Sequence, residues 1–286
     1  MSRIAVVTDS SAGVDQAWAA EHGVWIVPLL LEMDGQTFRD GIDISNERFY
    51  EVLPTCARPP QTSQARLGDL LQLYQSLQAA GYEGIVAAFL SSGISNTFAT
   101  AEVAAREVDI PVEVVDTLCT ASATLFCVET AVRAIAQGAN LAEVAEITRR
   151  VAVEARSIFA VDTLDYLVRG GRLSATAALV GSMLQLKPLL GFVDGKIVVL
   201  ERVRTSSRAV RRQVEVMAQW VGADTPVIAR VVRGASPEYA EQLRTLALEQ
   251  LQVVEMRSGY VPAILGAHTG PSIYSLCCLP VKYALL

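Results

Sequence analysis

The N-terminal half of the chain alternates short apolar runs with helical periodicity. Ile4–Thr8 is an unbroken β-prone run ending at Asp9-Ser10-Ser11, and a helical stretch from Val14 stops at Gly23. Val24–Leu31 has the length and apolarity of one buried strand, and Asp34-Gly35 after it is a hairpin signal. Ser45 is placed to cap a helix through Leu53. Leu67, Leu70, Leu71, Tyr74 and Leu77 recur at helical spacing until Gly81. Ile85–Leu90 has no polar face, as a central parallel strand requires. A helix Thr97–Val108, a strand Val112–Val115 and a long helix through Ala136 follow, and Asn140 with Glu143 opens another helix as a capping box.

The pattern restarts near Arg156. Ile158–Val161 reads as a strand, Val168–Ser174 (VRGGRLS) breaks the chain, and Lys187–Val193 and Ile197–Leu200 flank a second hairpin signal at Asp194-Gly195. A helix Ser206–Trp220, a strand Val227–Val232 and a helix Pro237–Gln250 complete an α/β reading. It divides into two α/β domains, residues 1–155 and 156–286.

Composition narrows the classes. Of the 286 residues 51% are hydrophobic and 19% charged, with a mean hydropathy of +0.34, the reverse of a disordered chain. The formal charge of -6 argues against a nucleic-acid surface. Five cysteines without CxxC spacing point to a reducing compartment and no structural zinc, and no targeting segment is visible, so a cytoplasmic location is expected. Ser258–Val281 contains no Asp, Glu, Lys or Arg and is long enough to span a bilayer. Its three prolines and three glycines make buried backbone the better reading.

Four segments offer chemistry. Thr62-Ser63-Gln64 follows Pro59-Pro60 and is expected to sit just before a helix, where hydroxyls and free N–H groups face an anion or merely cap. Leu90–Thr97 (LSSGISNT) follows an apolar strand, with Ser91, Ser92 and Ser95 around Gly93, a glycine that permits close approach of a ligand. His268, in Gly266–Pro271, is either a satisfied core residue or a donor facing both loops. Arg172 and Arg204 stand beside turns as surface charges or as phosphate or partner contacts. Gly191–Lys196 is one residue short of a phosphate-binding loop and lacks its hydroxyl, and neither HExxH nor GxSxG occurs. A serine hydrolase using Ser91, Ser92 or Ser95 with His268, and a sensor of another small anion, remain as alternatives.

Together these segments resemble the DegV family of bacterial fatty-acid-binding proteins. The matching strings run in order: IAVVTDSSAGV from Ile4, FRDGIDISNERFYEVL from Phe38, PPQTSQ from Pro59 and LSSGISNTF from Leu90. TLDYLVRGGRLS from Thr163, LKPLLGFVDGKI from Leu186, VRTSSRAV from Val203 and HTGP from His268 complete them. The resemblance implies a two-domain α/β protein with a fatty acid in a tunnel between or beneath its domains. It implies no catalysis by this chain and no cofactor or metal. The acid's carboxylate would lie at Thr62, Ser63, Ser91, Ser92, Gly93 and His268, with Thr62 and Ser92 hydrogen-bonding it directly and His268 nearby. It also implies a separate ATP-binding fatty acid kinase subunit, docked at Arg172 and Arg204, that converts the acid to an acyl phosphate for phospholipid synthesis; peripheral membrane contact is compatible with that role. Ala65-Arg66, Asn96 and Ser272 depart from the family pattern beside the pocket.

Overall fold

The structure is a computed structural model that describes residues 3–173 and 186–284. Ser174, the last residue of the arginine-rich VRGGRLS segment, lies outside the described residues. Strands β1 (Ile4–Asp9), β2 (Val24–Val27), β6 (Gly84–Phe89) and β7 (Val112–Asp116) form a four-stranded parallel sheet in the order β2-β1-β6-β7. All six residues of β1 and all six of β6 are buried. That is what runs without a polar face require when helices cover both sides of a parallel sheet.

A small antiparallel sheet is built from β3 (Leu30–Met33), β4 (Gln36–Arg39) and β5 (Gln61–Ser63), in the order β4-β3-β5. The expected single strand Val24–Leu31 is therefore two strands in two sheets. Pro28 has no N–H to continue a ladder, and the chain changes sheets there. At the β3–β4 turn Asp34 and Gly35 take φ of 48° and 81°. These are the paired positive values of a tight hairpin, and Asp194-Gly195 repeats them at 48° and 75°.

The second half forms a six-stranded sheet from β8 (Arg156–Ala160), β9 (Lys187–Val193), β10 (Lys196–Val203), β11 (Val227–Arg233), β12 (Val253–Tyr260) and β13 (Tyr274–Pro280). Its order is β10-β9-β8-β13-β11-β12, antiparallel except between β11 and β12. The uncharged Ser258–Val281 segment supplies the end of β12, the buried helix Ala263–Thr269 and the wholly buried β13. Among the described residues no helix is long and apolar enough to cross a membrane.

One hydrophobic cluster joins the two larger sheets. It unites Val7, Leu31 and Phe89 from the first half with Phe159, Leu190 and Ile264 from the second. The site described next opens within this shared core.

Candidate functional site

Strand β5 pairs with β3 so that Thr62 stands opposite Leu31, with Gln61 and Ser63 pointing to the other face. Thr62 is thus a strand residue and not a helix cap. The helix Leu67–Ala79 that follows begins at Arg66, which makes no side-chain cap bond. The helix Ala263–Thr269 carries His268 to this strand, and Thr62 Oγ1 lies 2.7 Å from His268 Nε2.

Burial, reinforced by the charge of Arg172, pushes His268 down to about 4, so the imidazole is neutral near pH 7. Its Nδ1 is buried without a partner among the described residues, pressed on the Gly170 backbone, where any Cβ would collide with it. Two tautomers are open to such a ring. With the proton on Nε2, His268 donates to Thr62 and leaves the threonine O–H free to donate onward. With the proton on Nδ1, a buried N–H is orphaned and the threonine proton is spent on the ring. The first costs less and turns Thr62 into an oriented donor.

The Thr62–His268 pair closes one part of a cavity between the sheets. About 810 Å³ lies within its walls, its open mouth included. The walls are mostly apolar: Leu29, Leu90 and Ile94 from the first half face Phe159, Phe192 and Ile264 from the second. Phe159 and Phe192 meet with ring centroids 6.2 Å apart. Polar groups gather with Thr62 and His268: Ser63, Gln64, Ser95 and Arg172. These four and Thr62 also line a cleft at the surface, together with Ser92, Gly93 and Gly171. The apolar cavity therefore meets solvent through a polar mouth.

Arg172 is half-buried, and its Nε donates to the Ile94 carbonyl at 3.2 Å. Desolvation lowers its pKa from the ordinary value, as for a cation that would gain from a nearby anion. The resemblance assigned Arg172 to partner docking. Its side chain lines the cavity beside His268, so it reaches the interior first. Arg204 is exposed at the end of the second sheet's hairpin region.

The serine loop is divided in its duties. Ser91 is fully buried, and its Oγ donates to the Gly195 carbonyl at 2.7 Å while accepting from Gly93 N at 3.1 Å. Gly93 is needed because a Cβ would strike the Gly195 carbonyl. The close approach read from this glycine is thus made by the β9–β10 hairpin turn and not by a ligand. Ser92 is exposed and belongs to the outer cleft, with its backbone N–H on Asp116. Ser95 is the serine of this loop that lines the apolar cavity. Asp9 and Asp116 are strand-end ties: Asp9 accepts from Leu90 N and Ser11 N, and Asp116 from Ser92 N and Leu118 N.

The sequence profile described as an uncharacterised protein of the DegV family matches residues 3–281. The chain belongs to the DegV family. A DegV domain-containing protein of Streptomyces coelicolor is 37% identical over 275 residues, 96% of this chain and 97% of its own. Among solved structures, DegV of Bacillus subtilis, described as a fatty acid binding protein, superposes with a TM-score of 0.89 at 31% identity, covering 98% of this chain and 100% of its own. A DegV family protein of Thermus thermophilus, described for its fatty acid binding, gives 0.90 at 27% identity, with 97% and 99% covered. The α/β fold of this DegV family chain is thus shared over nearly its full length.

Within that frame, no group of three or more His, Cys, Asp or Glu among the described residues is arranged to hold a metal ion. The four buried thiols offer little nucleophilicity, since burial pushes Cys119 up to about 12 and raises Cys127, Cys277 and Cys278 as well. His268 has its Nε2 on Thr62, Ser91 has its hydroxyl on the Gly195 carbonyl and Ser95 its hydroxyl on Thr97, while Ser92 is exposed, so among the described residues the serine–histidine contact of a hydrolase is not assembled. Sequence reasoning singled out Arg172 as a phosphate or partner contact and Ser95 as one of a cluster of serines, without placing Arg172 at the cavity or separating Ser95 from its neighbours. The signal for Arg172 was the Gly170-Gly171 pair before it: Gly170 admits the His268 ring, and Gly171 takes φ of 70° in the turn.

Proposed function

We propose that this protein binds a long-chain fatty acid, non-catalytically, with the alkyl chain in the apolar cavity and the carboxylate at its polar mouth. The observation that carries the reading is the Thr62–His268 pair with Arg172 at the wall of a mostly apolar cavity between the sheets. The fatty acid binding described for the Bacillus subtilis and Thermus thermophilus relatives supports it. Burying a sixteen-carbon chain offers roughly 11–12 kcal/mol before ordering costs, at ~0.8 kcal/mol per methylene. The carboxylate must recover the hydration it loses. Thr62 supplies a neutral donor oriented by His268, Ser63 and Ser95 lie beside it, and Arg172 supplies the charge.

In this reading residues 1–155 carry the Thr62 and serine loops of the carboxylate site, and residues 156–286 cover the acyl chain and add His268 and Arg172. The outer cleft leaves the head group approachable, which suits presentation to a separate ATP-binding kinase subunit and phosphorylation there to an acyl phosphate. Exposed Arg204 is suited to dock such a partner, while Arg172 serves the carboxylate before it serves the docking.

Native mass spectrometry of freshly purified protein, followed by organic extraction, tests the core of this. One fatty acid per chain is the expected result. Protein that is empty, and stays empty after incubation with mixed fatty acids, would leave only the fold. For the kinase role, incubation of loaded protein with ATP and a purified kinase subunit should convert the bound acid to acyl phosphate. No turnover with a subunit active on another DegV protein would exclude that step.

A further inference from the structure

The FRDGIDISN segment is prominent in the sequence, yet none of its residues lines the apolar cavity. Its side chains act on the helix that carries His268. That helix, Ala263–Thr269, is seven residues long and mostly buried, and its own N-cap, Pro262, makes no side-chain cap bond. The first N–H groups of a helix have no partner within it, and burial denies these ones water. Asn46 Oδ1 accepts from Ala263 N at 2.9 Å, and Asp40 Oδ1 accepts from Ile264 N at 3.2 Å. Both caps therefore come from more than 200 residues earlier in the chain, across 217 and 224 positions.

The loop that offers them is itself braced. Arg39 binds Asp43 through both its backbone N–H and its guanidinium, at 2.7 to 3.0 Å, and Gly41 turns with φ of 74°. Asp40 N is fixed to the Leu29 carbonyl at 2.9 Å. Gly266, on the clamped helix, lets Phe49 and Tyr50 approach so closely that any Cβ would overlap them. At its other end the same helix presents His268 Nε2 to Thr62.

We infer that Asp40 and Asn46 are positioning residues for the head-group site: by capping the His268 helix from the opposite half of the fold, they hold the imidazole on Thr62 and so keep the threonine proton free for the ligand. The inference rests on the fatty-acid reading for its affinity consequence, but not for its effect on the ring. Burial, with the nearby charge of Asp9, pushes Asp40 up to about 6. Its second oxygen has no partner among the described residues, so a proton there leaves the capping oxygen untouched. The cap therefore needs an acceptor at residue 40 and not a charge.

The chain has two histidines, which makes the ring directly readable. His22 is exposed and stacked on Trp18, with ring centroids 4.3 Å apart, so 15N-histidine NMR separates it from His268. Three measurements are made on Asp40→Ala, Asp40→Asn, Asn46→Ala and Asn46→Asp: the His268 tautomer, oleate affinity and the melting temperature. Asp40→Ala and Asn46→Ala are expected to shift His268 away from the fixed Nε2–H tautomer and to weaken oleate about tenfold. Asp40→Asn and Asn46→Asp keep an acceptor oxygen and are expected to restore both.

A lowered melting temperature with unchanged tautomer and affinity would overturn the inference and leave the caps purely structural. If Asp40→Ala does not fold, the Asn46 pair decides by the same readings. If the wild-type protein takes up no oleate, the proposed function fails, while the His268 resonance still decides the clamp.

Discussion

Two hydroxyl-bearing loops of this chain look alike in sequence and serve opposite ends. Thr62 stands on an edge strand with its hydroxyl on a neutral histidine at the cavity wall. Ser91, at a strand end of the parallel sheet where ligands are commonly bound, is sealed against the hairpin turn of the other sheet. The difference lies in what packs on each loop. Over β5 lies a short helix that delivers a side chain, and over the serine loop lies a tight turn that delivers a carbonyl. A hydroxyl becomes a ligand donor only where its own bond leaves a proton to give.

The widest test of this contrast is pH. His268 is held neutral, with its pKa moved from 6.5 to about 4. Between those values the unfolded chain binds more protons than the folded one, so the His268 contribution is present above pH 6.5 and is lost as pH falls toward 4. At 1.36 kcal/mol per unit this amounts to roughly 3 kcal/mol at most. Asp40 runs the other way. Raised from 3.8 to about 6, it favours the folded state at low pH, and that advantage is lost as pH rises through this window. The two oppose each other between pH 4 and 6. Urea titrations of His268→Gln should uncover the buried carboxylates Asp40 and Asp9, both raised by burial, with stability rising as pH falls from 6 to 4. A variant that tracks the wild-type profile would mean the ring is not held neutral by this site.

Thr62→Val follows in size. It keeps the shape, removes the donor and orphans a buried His268 Nε2, costing about 1–3 kcal/mol, or roughly ten- to a hundredfold in fatty-acid affinity by calorimetry. Ser91→Ala should separate from it in kind. The lost bond leaves the Gly195 carbonyl and Gly93 N–H without their shared partner, so stability should fall by about 1–2 kcal/mol while affinity holds within about twofold. An affinity loss without a stability loss would erase the distinction between the loops.

Legibility in the sequence followed the range of the forces involved. Local signals were sound: the Asn140–Glu143 capping box and the two Asp-Gly hairpins stand where the pattern puts them. The apolar run Val24–Leu31 misled because hydrophobicity marks burial without marking the sheet, and Pro28 divides it between two. At the site, Thr62 and His268 were legible as chemistry, but their meeting spans 206 positions and is set by packing. Arg172 read as surface because an arginine beside glycines usually is; here Gly170 makes room for the imidazole, and the arginine turns inward with it. The Asp40 and Asn46 caps were invisible for the same reason: Pro262 shows that a local side-chain cap is missing, but nothing near it reveals which distant residues replace it.

The smallest effect is the one on which sequence and structure disagree most. Hydroxyl content and position rank Ser92 beside Thr62, and the family resemblance makes it a carboxylate donor. Its side chain is exposed in the outer cleft, and among the described residues its backbone N–H is tied to Asp116. A solvated hydroxyl exchanges water for ligand at little net gain, so Ser92→Ala should change affinity by less than about 0.5 kcal/mol. Stability should change as little, because the Asp116 bond uses the backbone N–H and survives the substitution. A tenfold loss of affinity would move the head group outward, from the Thr62–His268 wall into the cleft. Thr62→Val measured beside it would then show the smaller loss, and the contrast between the two loops would be reversed.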